Sequence, residues 1–426
     1  MRTPLARRVS SSRPFVSRPS YVCFQCRTIT RSRTFEEGDL VLVKRLATDP
    51  KPKLIQSPLK PGENFITQHG AIRHDDIIGA KLNSVVETKK GVKYTVHEPT
   101  LDEYVRMTPR LVAPIYPNDA NVIVNLLELH PSGPPRNGDG TVSECEGPEI
   151  EIFECGTGHG ALTLHLARAV HAANAHLPPL SEAERKGKRV DSDISLQRRA
   201  IVHTMDVSAK HSKHAKKIVH NFKNGLYARS VDFHVGSPSS FFANRKQDEP
   251  FLTHAILDMP SSHAEMGTIA PYLHQDGKLL LFAPSVTQIV DAQREVRERN
   301  LPLYLERVVE LGEGLSGGRE WRIIFSKSRA AARANADTPE VSVKTGENGV
   351  DGDKEEKDQE WWVSCRPKVG KMIQGGGFVG LWSRIEESRR RGGLNSDCKE
   401  MLSDDIQDGD EDVESEQEAR AESERE

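Results

Sequence analysis

The stretch from Glu149 to Ala175, EIEIFECGTGHGALTLHLARAVHAANA, limits the folds open to this chain more than any other. Ile150-Glu151-Ile152-Phe153 is a short apolar-alternating run that reads as a buried strand stopping at Glu154. Gly156-Thr157-Gly158-His159-Gly160 follows, and then Ala161, Leu162, Leu164, Leu166, Ala167, Val170 and Ala173 recur at helical spacing. A strand therefore feeds a helix through a turn with almost no side chains. A Cβ in such a turn would block close approach, and some of its positions need positive φ, which glycine supplies. The N–H groups that open the helix are expected to face whatever binds there. The plainer alternative is a tight strand-to-helix turn with no ligand.

Several ligands use this device, and the spacing separates them. A dinucleotide fingerprint reads GxGxxG, but the third glycine here, Gly160, comes one residue too early, and the Gly-Lys-Ser/Thr of a phosphate-binding loop is absent. The pattern E-x-G-x-G-x-G from Glu154 to Gly160 resembles motif I of the S-adenosylmethionine-dependent methyltransferases. That resemblance implies cofactor contact by Glu154, Gly156, Thr157, Gly158, His159, Gly160 and Ala161.

Downstream, strands and helices alternate, which predicts an α/β fold with a mainly parallel, doubly wound sheet. Ala200 to Asp206 reads as a strand ending in a carboxylate, where an acid meets the ribose hydroxyls of a nucleoside lying over the glycine turn. Asp206 can equally cap the helix after it. Val231 to Val235 is a third strand ending at Gly236-Ser237, where a methyltransferase would set backbone against adenine. His254 to Pro260 is a fourth, ending in Asp258, for which a helix cap is the alternative role. Pro271 to Gly277 reads as a helix end and turn before a fifth strand, Lys278 to Ala283. Leu303 to Leu311 and Glu320 to Ser326 are expected to finish the sheet, antiparallel at the end, and Phe378 to Trp382 to close it.

The flanks have a different character. Met1 to Thr34 is Arg- and Ser-rich and acid-free, without the apolar core of a secretory signal, and reads as a mitochondrial transit peptide. A basic arm that touches RNA is the alternative. Cys23-x-x-Cys26 has no second pair at zinc-site spacing, and the scattered 6 cysteines do not form a disulfide framework. From Glu36 to Val96 short β-branched runs alternate with turn signals, as in a small β domain, and Gln68 to Gly79 reads as a polar, His-bearing loop within it. Pro99 to Tyr104 opens a helix behind a threonine cap, a second helix is expected over Ala120 to Leu129, and Pro131 to Gly147 is a surface loop. His176 to Arg198 reads as a polar insertion. The formal net charge of −3 hides a basic beginning and an acidic end, so it is a poor test for nucleic-acid binding. No stretch approaches a membrane span in length and apolarity, which predicts a soluble protein with no membrane partner.

Taken together, Gly38 to Val41, Gln68 to Gly79, Pro99 to Asp119, Glu154 to Thr163 and Asp258 to Leu273 resemble, in order, the tRNA (adenine-58-N1)-methyltransferase family of catalytic-subunit type. Arg366-Pro367 and Met372 to Leu381 resemble the end of the family's chain. The resemblance implies a doubly wound Rossmann-like methyltransferase sheet preceded by a small all-β N-terminal domain. It also implies S-adenosylmethionine as cofactor, tRNA as partner, and a homotetramer or a heterotetramer with a non-catalytic homologous subunit. The leader adds the expectation of a mitochondrial matrix member. The corresponding map is a leader over 1–34, the β domain over 35–98, the methyltransferase domain over 99–326, a low-complexity insertion over 327–360, a closing strand over 361–384 and an acidic tail over 385–426.

Residue by residue, Glu154 and the Gly156 to Ala161 turn carry over to cofactor binding, Asp206 to the ribose, Gly236 and Ser237 to the adenine, and Asp258 to the catalytic position at the cofactor. Two stretches depart from the family. Ser261-Ser262-His263 stand where a small residue, Pro and Trp are common, and Gln374-Gly375-Gly376-Gly377 replaces Gly-His-Thr-Gly. Adenine N1 is already nucleophilic, so the expected role of Asp258 is to accept from the exocyclic N6–H and balance the developing positive charge. The rival functions are a non-catalytic RNA-binding subunit and a methyltransferase for another RNA or a protein.

Overall fold

The computed structural model describes residues 33–46, 52–135, 137–139, 143, 147–185, 194, 196–245, 249–312, 321–327, 361–367 and 376–386. The transit-peptide, low-complexity and acidic-tail expectations, with Cys23, Cys26, Gln374 and Gly375, lie essentially outside these residues.

The N-terminal part is a four-stranded antiparallel sheet with a separate hairpin. Its strands β1 (Leu42–Arg45), β2 (Lys53–Leu54), β5 (Ser84–Glu87) and β6 (Lys93–His97) lie in the order β2-β1-β6-β5, and β3 (Asn64–Thr67) pairs with β4 (Gly70–Arg73). Phe35, Val41, Val43, Ile55, Leu59, Ile72, Ile77, Tyr94 and Val96 form its own core. The expected loop over Gln68 to Gly79 is instead the return strand β4 and a 3-10 turn, His74–Asp76. His74 in this stretch is buried, and its Nδ1 accepts from the Lys60 N–H at 3.1 Å. Burial of Ile72 and Ile77 on either side pulls this polar stretch into the fold.

The second part is a seven-stranded sheet built from β7 (Ile150–Cys155), β8 (Ala200–Asp206), β9 (Val231–Val235), β10 (Leu252–Leu257), β11 (Leu273–Ala283), β12 (Leu303–Leu311) and β15 (Gly377–Arg384), in the order β12-β15-β11-β10-β7-β8-β9. From β9 to β11 the pairs are parallel, and β15 runs antiparallel to both β11 and β12. Side chains alternate across it, as a pleated strand requires. Ile152, Val202, Ile256 and Leu280 join the core on one face, while Phe153, Met205, Leu257, Leu281 and Trp382 join the core on the other. Helices α1 (Leu101–Met107), α2 (Pro117–Leu126), α3 (Ala161–Ala169) and α4 (Ala209–Asn221) supply Tyr104, Ile123, Leu164 and Val219 to the first core. Helices α5 (Pro238–Arg245) and α6 (Val286–Glu298) supply Phe242 and Ile289 to the second. The fold is thus a doubly wound α/β sheet preceded by a small β domain.

Three features differ from expectation. Leu273 to Gly277, read as a turn, already belongs to β11, whose pairing with β10 shifts register between Leu252 and His254. The strand over Glu320 to Ser326 does not join the main sheet; β13 (Trp321–Lys327) pairs with β14 (Trp361–Pro367) as a two-stranded antiparallel unit. The expected closing strand Phe378 to Trp382 lies inside the sheet, between β11 and β12. Close packing accounts for Gly377 at its start, since a Cβ there would stand 2.7 Å from the Ala283 carbonyl oxygen.

Specific polar contacts join the two parts. Asn224 Nδ2 donates to Asp39 Oδ1 at 3.0 Å, and Lys223 pairs with Glu98 at 3.5 Å. Helix α1 opens on a complete capping box between Thr100 and Glu103. Its buried Tyr104 donates from the hydroxyl to the Ile218 carbonyl of α4 at 2.8 Å.

Candidate active site

The predicted residues converge at the C-terminal edge of β10, β7, β8 and β9, where an open α/β sheet leaves its crevice. The Asp258 N–H donates to the Cys155 carbonyl at 2.8 Å, so the end of β10 lies directly beside the turn after β7. Gly156 and Gly160 have φ of +102° and +83°. A Cβ on Gly160 would stand 3.0 Å from that of Ala215, so this glycine lets α3 and α4 approach each other.

Four amides of the turn are engaged within the fold. Gly156 and Thr157 donate to the Met205 carbonyl at 2.8 and 3.0 Å, Gly160 donates to Thr157 at 2.8 Å, and Gly158 donates to Asp206 Oδ2 at 3.0 Å. These bonds fix the turn, while the His159 amide and the Ala161 amide that opens α3 have no partner among the described residues. The Thr157 hydroxyl is likewise engaged with Thr204 at 2.7 Å. His159 is buried with Nε2 bonded to the Thr108 hydroxyl at 3.1 Å, and burial pushes its imidazole down to about 4, so it is neutral. Its side chain anchors the segment after α1, which also places Val112 against Gly158.

Glu154 lies beneath the turn, 1% exposed, and accepts from the Thr163 hydroxyl of α3 at 2.6 Å. Burial pushes its carboxyl up to about 7, against the opposing bonds from Thr163 and Thr204. Glu154 therefore braces strand to helix from below. Sequence reasoning gave Thr163, Thr204 and Thr108 no role, although Thr163 and Thr108 fall within stretches that carry the family resemblance.

Asp206 holds two neighbours at once. Its Oδ2 takes the Gly158 amide, and its Oδ1 takes the Ser208 amide at 2.8 Å. The cap of α4 is Ser208, whose hydroxyl accepts from the His211 N–H at 3.3 Å, rather than Asp206 itself. The Gly236 amide donates to the Asp206 carbonyl at 3.1 Å, so the ends of β8 and β9 are tied together. Ser237 exchanges hydrogen bonds with Ser240 at the start of α5, at 3.1 and 3.3 Å.

Asp258 is different in kind. Its carboxylate receives no hydrogen bond from any described residue, and burial alone pushes it up to about 7. It caps no helix; the following Ser261 adopts a left-handed φ of +57° and leads the chain away in a 3-10 turn. The carboxylate lines a cavity of about 390 Å³ together with Met259, Ser262, His263, Phe282, Gln288 and Asp291. Ser261-Ser262-His263, the stretch that departs from the family, thus forms part of that wall. Gln288 and Asp291 on α6 carried no sequence signal, because nothing in an amphipathic helix marks which exposed residues meet a cavity. A half-buried, unbalanced carboxylate favours a positively charged neighbour. The bare turn, the acid ending β8 and this carboxylate fit a cationic nucleoside cofactor. Among the described residues there is no cluster that could hold a metal ion, and no helix is long and apolar enough to cross a membrane.

Residues 34–86 match the family described as TrmI-like N-terminal. The chain is 27% identical over 264 residues to the tRNA (adenine(58)-N(1))-methyltransferase TrmI of Thermus thermophilus, covering 62% of this chain and 81% of the relative. It is 28% identical over 141 residues to the tRNA (adenine(58)-N(1))-methyltransferase catalytic subunit TRM61 of Kluyveromyces lactis, covering 32% of this chain and 30% of that one. Among solved structures, a SAM-dependent O-methyltransferase from Thermotoga maritima superposes with a TM-score of 0.54 at 17% identity, covering 83% of this chain and 96% of the other. The tRNA (m1A58) methyltransferase TrmI of Aquifex aeolicus gives a TM-score of 0.50 at 16% identity, covering 83% of this chain and all (100%) of that one. The fold is therefore that of the Rossmann-like methyltransferases.

Proposed function

We propose that this protein is an S-adenosylmethionine-dependent methyltransferase that modifies N1 of adenine 58 in tRNA. The observation that carries the reading is the Asp258 carboxylate, half-buried and unpaired among the described residues, at the end of β10 beside the glycine turn. Similarity to the Thermus thermophilus enzyme over most of that enzyme's length supports the substrate.

S-adenosylmethionine supplies the methyl group from a sulfonium. The turn from Gly156 to Ala161 would hold its amino-acid part, Asp206 the ribose, and Gly236 with Ser237 the adenine. Asp258 then acts on the acceptor base. Its carboxylate accepts a hydrogen bond from N6–H and fixes N1 in line with the methyl, so that proximity supplies much of the rate. As N1 gains the methyl, positive charge spreads to N6, and the ionised carboxylate balances it. A cation beside Asp258 also draws its proton affinity down, which keeps it ionised near neutral pH. The base reaches the carboxylate only after leaving the tRNA core.

The acid-free leader supports a mitochondrial matrix location and mitochondrial tRNA as substrate. The words "catalytic subunit" in the name of the Kluyveromyces lactis relative support an assembly with a second, non-catalytic subunit, a homotetramer being the alternative. The deciding experiment is transfer of labelled methyl to a mitochondrial tRNA transcript by the purified chain and by Asp258→Ala, with the product base identified by mass spectrometry. N1-methyladenosine from the wild type alone is expected. Cofactor binding by both without tRNA modification, even with added partner subunit, would count against the tRNA assignment.

A further inference from the structure

Helix α4, AKHSKHAKKIVHN, carries Lys210, Lys213, Lys216 and Lys217 and no acidic residue. Ser212, Ala215, Ile218 and Val219 are buried against the core, so all these lysines stand on the opposite, exposed side. None of them forms an ion pair among the described residues, whereas Lys223 just beyond the helix pairs with Glu98 at 3.5 Å. Lys210 and Lys213 also sit in the first turns, where the positive end of the helix dipole disfavours cations. A local rule broken without compensation inside the protein points to a negative partner outside it.

The position of the helix says what that partner meets. Ser208, which caps α4, is bonded to Asp206, which in turn holds Gly158 of the glycine turn. His214 donates from Nε2 to the Pro109 carbonyl at 2.9 Å and so joins α4 to the segment carrying exposed Arg110. The Arg110 guanidinium bonds to the Tyr116 hydroxyl and the Arg106 carbonyl, neither of which removes its charge. A positive strip about 20 Å long therefore leads away from the candidate active site.

Resting on the methyltransferase reading above, we propose that this lysine face of α4 is the docking surface for the phosphodiester backbone of the RNA substrate, beside the nucleotide that enters the site. Phosphate contacts of this kind position a nucleic acid without reading its sequence. Charge complementarity selects the occupant, since each lysine can displace one condensed counterion.

The test replaces Lys210, Lys213, Lys216 and Lys217 together by alanine in the full chain, with the same positions as arginine for comparison. The alanine variant is expected to bind tRNA at least about ten-fold more weakly at ~0.1 M salt, with the slope of log K against log salt reduced by about 3. Its cofactor affinity and melting temperature should match the wild type, and arginine should restore RNA binding. Unchanged affinity and slope would overturn the proposal. So would carboxylate-to-lysine cross-linking that joins α4 to the acid-rich residues 403–426 while RNA binding stays insensitive to the lysines. Wild-type methyl transfer to tRNA separates the two levels: transfer with lysine-insensitive binding refutes only the docking face, whereas no binding of tRNA by the wild type refutes both.

Discussion

Gly156 and Asp258 are in backbone contact: a Cβ added to Gly156 would stand 2.6 Å from the Asp258 carbonyl carbon. The residue that opens the glycine turn and the residue proposed to act on the base therefore share one tightly packed junction between β7 and β10. Gly156→Ala must push the end of β10 away and adopt a φ of +102° that alanine disfavours. A loss of about 2–4 kcal/mol is expected from strain and overpacking together, with methyl transfer lost even below the melting transition. Thermal unfolding and activity on the same sample check both effects.

Asp258→Asn keeps the shape of the side chain and removes its charge. Turnover should fall by about 100-fold or more while cofactor affinity changes by less than about three-fold, a split expected when one transition-state electrostatic contact is lost. The wild-type single-turnover rate should rise with pH as the carboxyl ionises, with an inflection at or below about 7, and the asparagine variant should lack it.

The same group makes a stability prediction. The folded carboxyl is held up at about 7 from an ordinary value of 3.8, so the native state binds more protons than the unfolded state between these limits. Its contribution is fully present at low pH and is lost as pH rises through about 7. Asp258→Asn should consequently melt increasingly above the wild type from pH 4 to 7, with a constant difference beyond. Glu154 is shifted the same way, mainly by burial and in part by the Asp258 charge, so the difference between the melting curves reports Asp258 together with its coupling to Glu154.

Asp206→Ala removes the acceptor of two backbone amides, Gly158 and Ser208. Stability should drop by about 1–3 kcal/mol, and cofactor binding measured by calorimetry should weaken by more than about ten-fold. Asp206→Asn, which keeps one carbonyl oxygen, should recover part of the stability. An alanine variant that binds cofactor as well as the wild type would rule out the ribose role.

Tyr104→Phe leaves the buried Ile218 carbonyl without the phenolic donor that reaches it at 2.8 Å. The carbonyl keeps the Phe222 N–H, so a loss of about 0.5–1.5 kcal/mol is expected. Because α4 carries Ile218, chemical denaturation should show the change while the intrinsic rate at saturating cofactor and RNA stays within about two-fold.

The strand-turn-helix at Glu149 to Ala175 and the acids ending β8 and β10 were legible because period-two runs ending in Asp or Gly leave a local signature. What the sequence hid was set by distant partners. Nothing near Gly158 announces that its amide belongs to Asp206, and nothing near His74 announces that its ring accepts from the Lys60 amide. Glycine spacing marked the turn correctly as side-chain-poor but could not tell that its amides close on Met205 and Asp206. The position of β15 was illegible for the same reason, because strand order is decided by pairing partners far away in the chain.

That position has a consequence for biosynthesis. On a ribosome, β11 and β12 are made well before β15, yet they are not neighbours in the sheet and β15 must slot between them. Until residue 384 has left the exit tunnel, the nascent domain carries two unmatched strand edges and lacks Trp382, one of the largest fully buried side chains. Such edges invite pairing with other chains. A premature stop between 312 and 376 would therefore release an aggregation-prone product even though every residue proposed to touch the cofactor is already present.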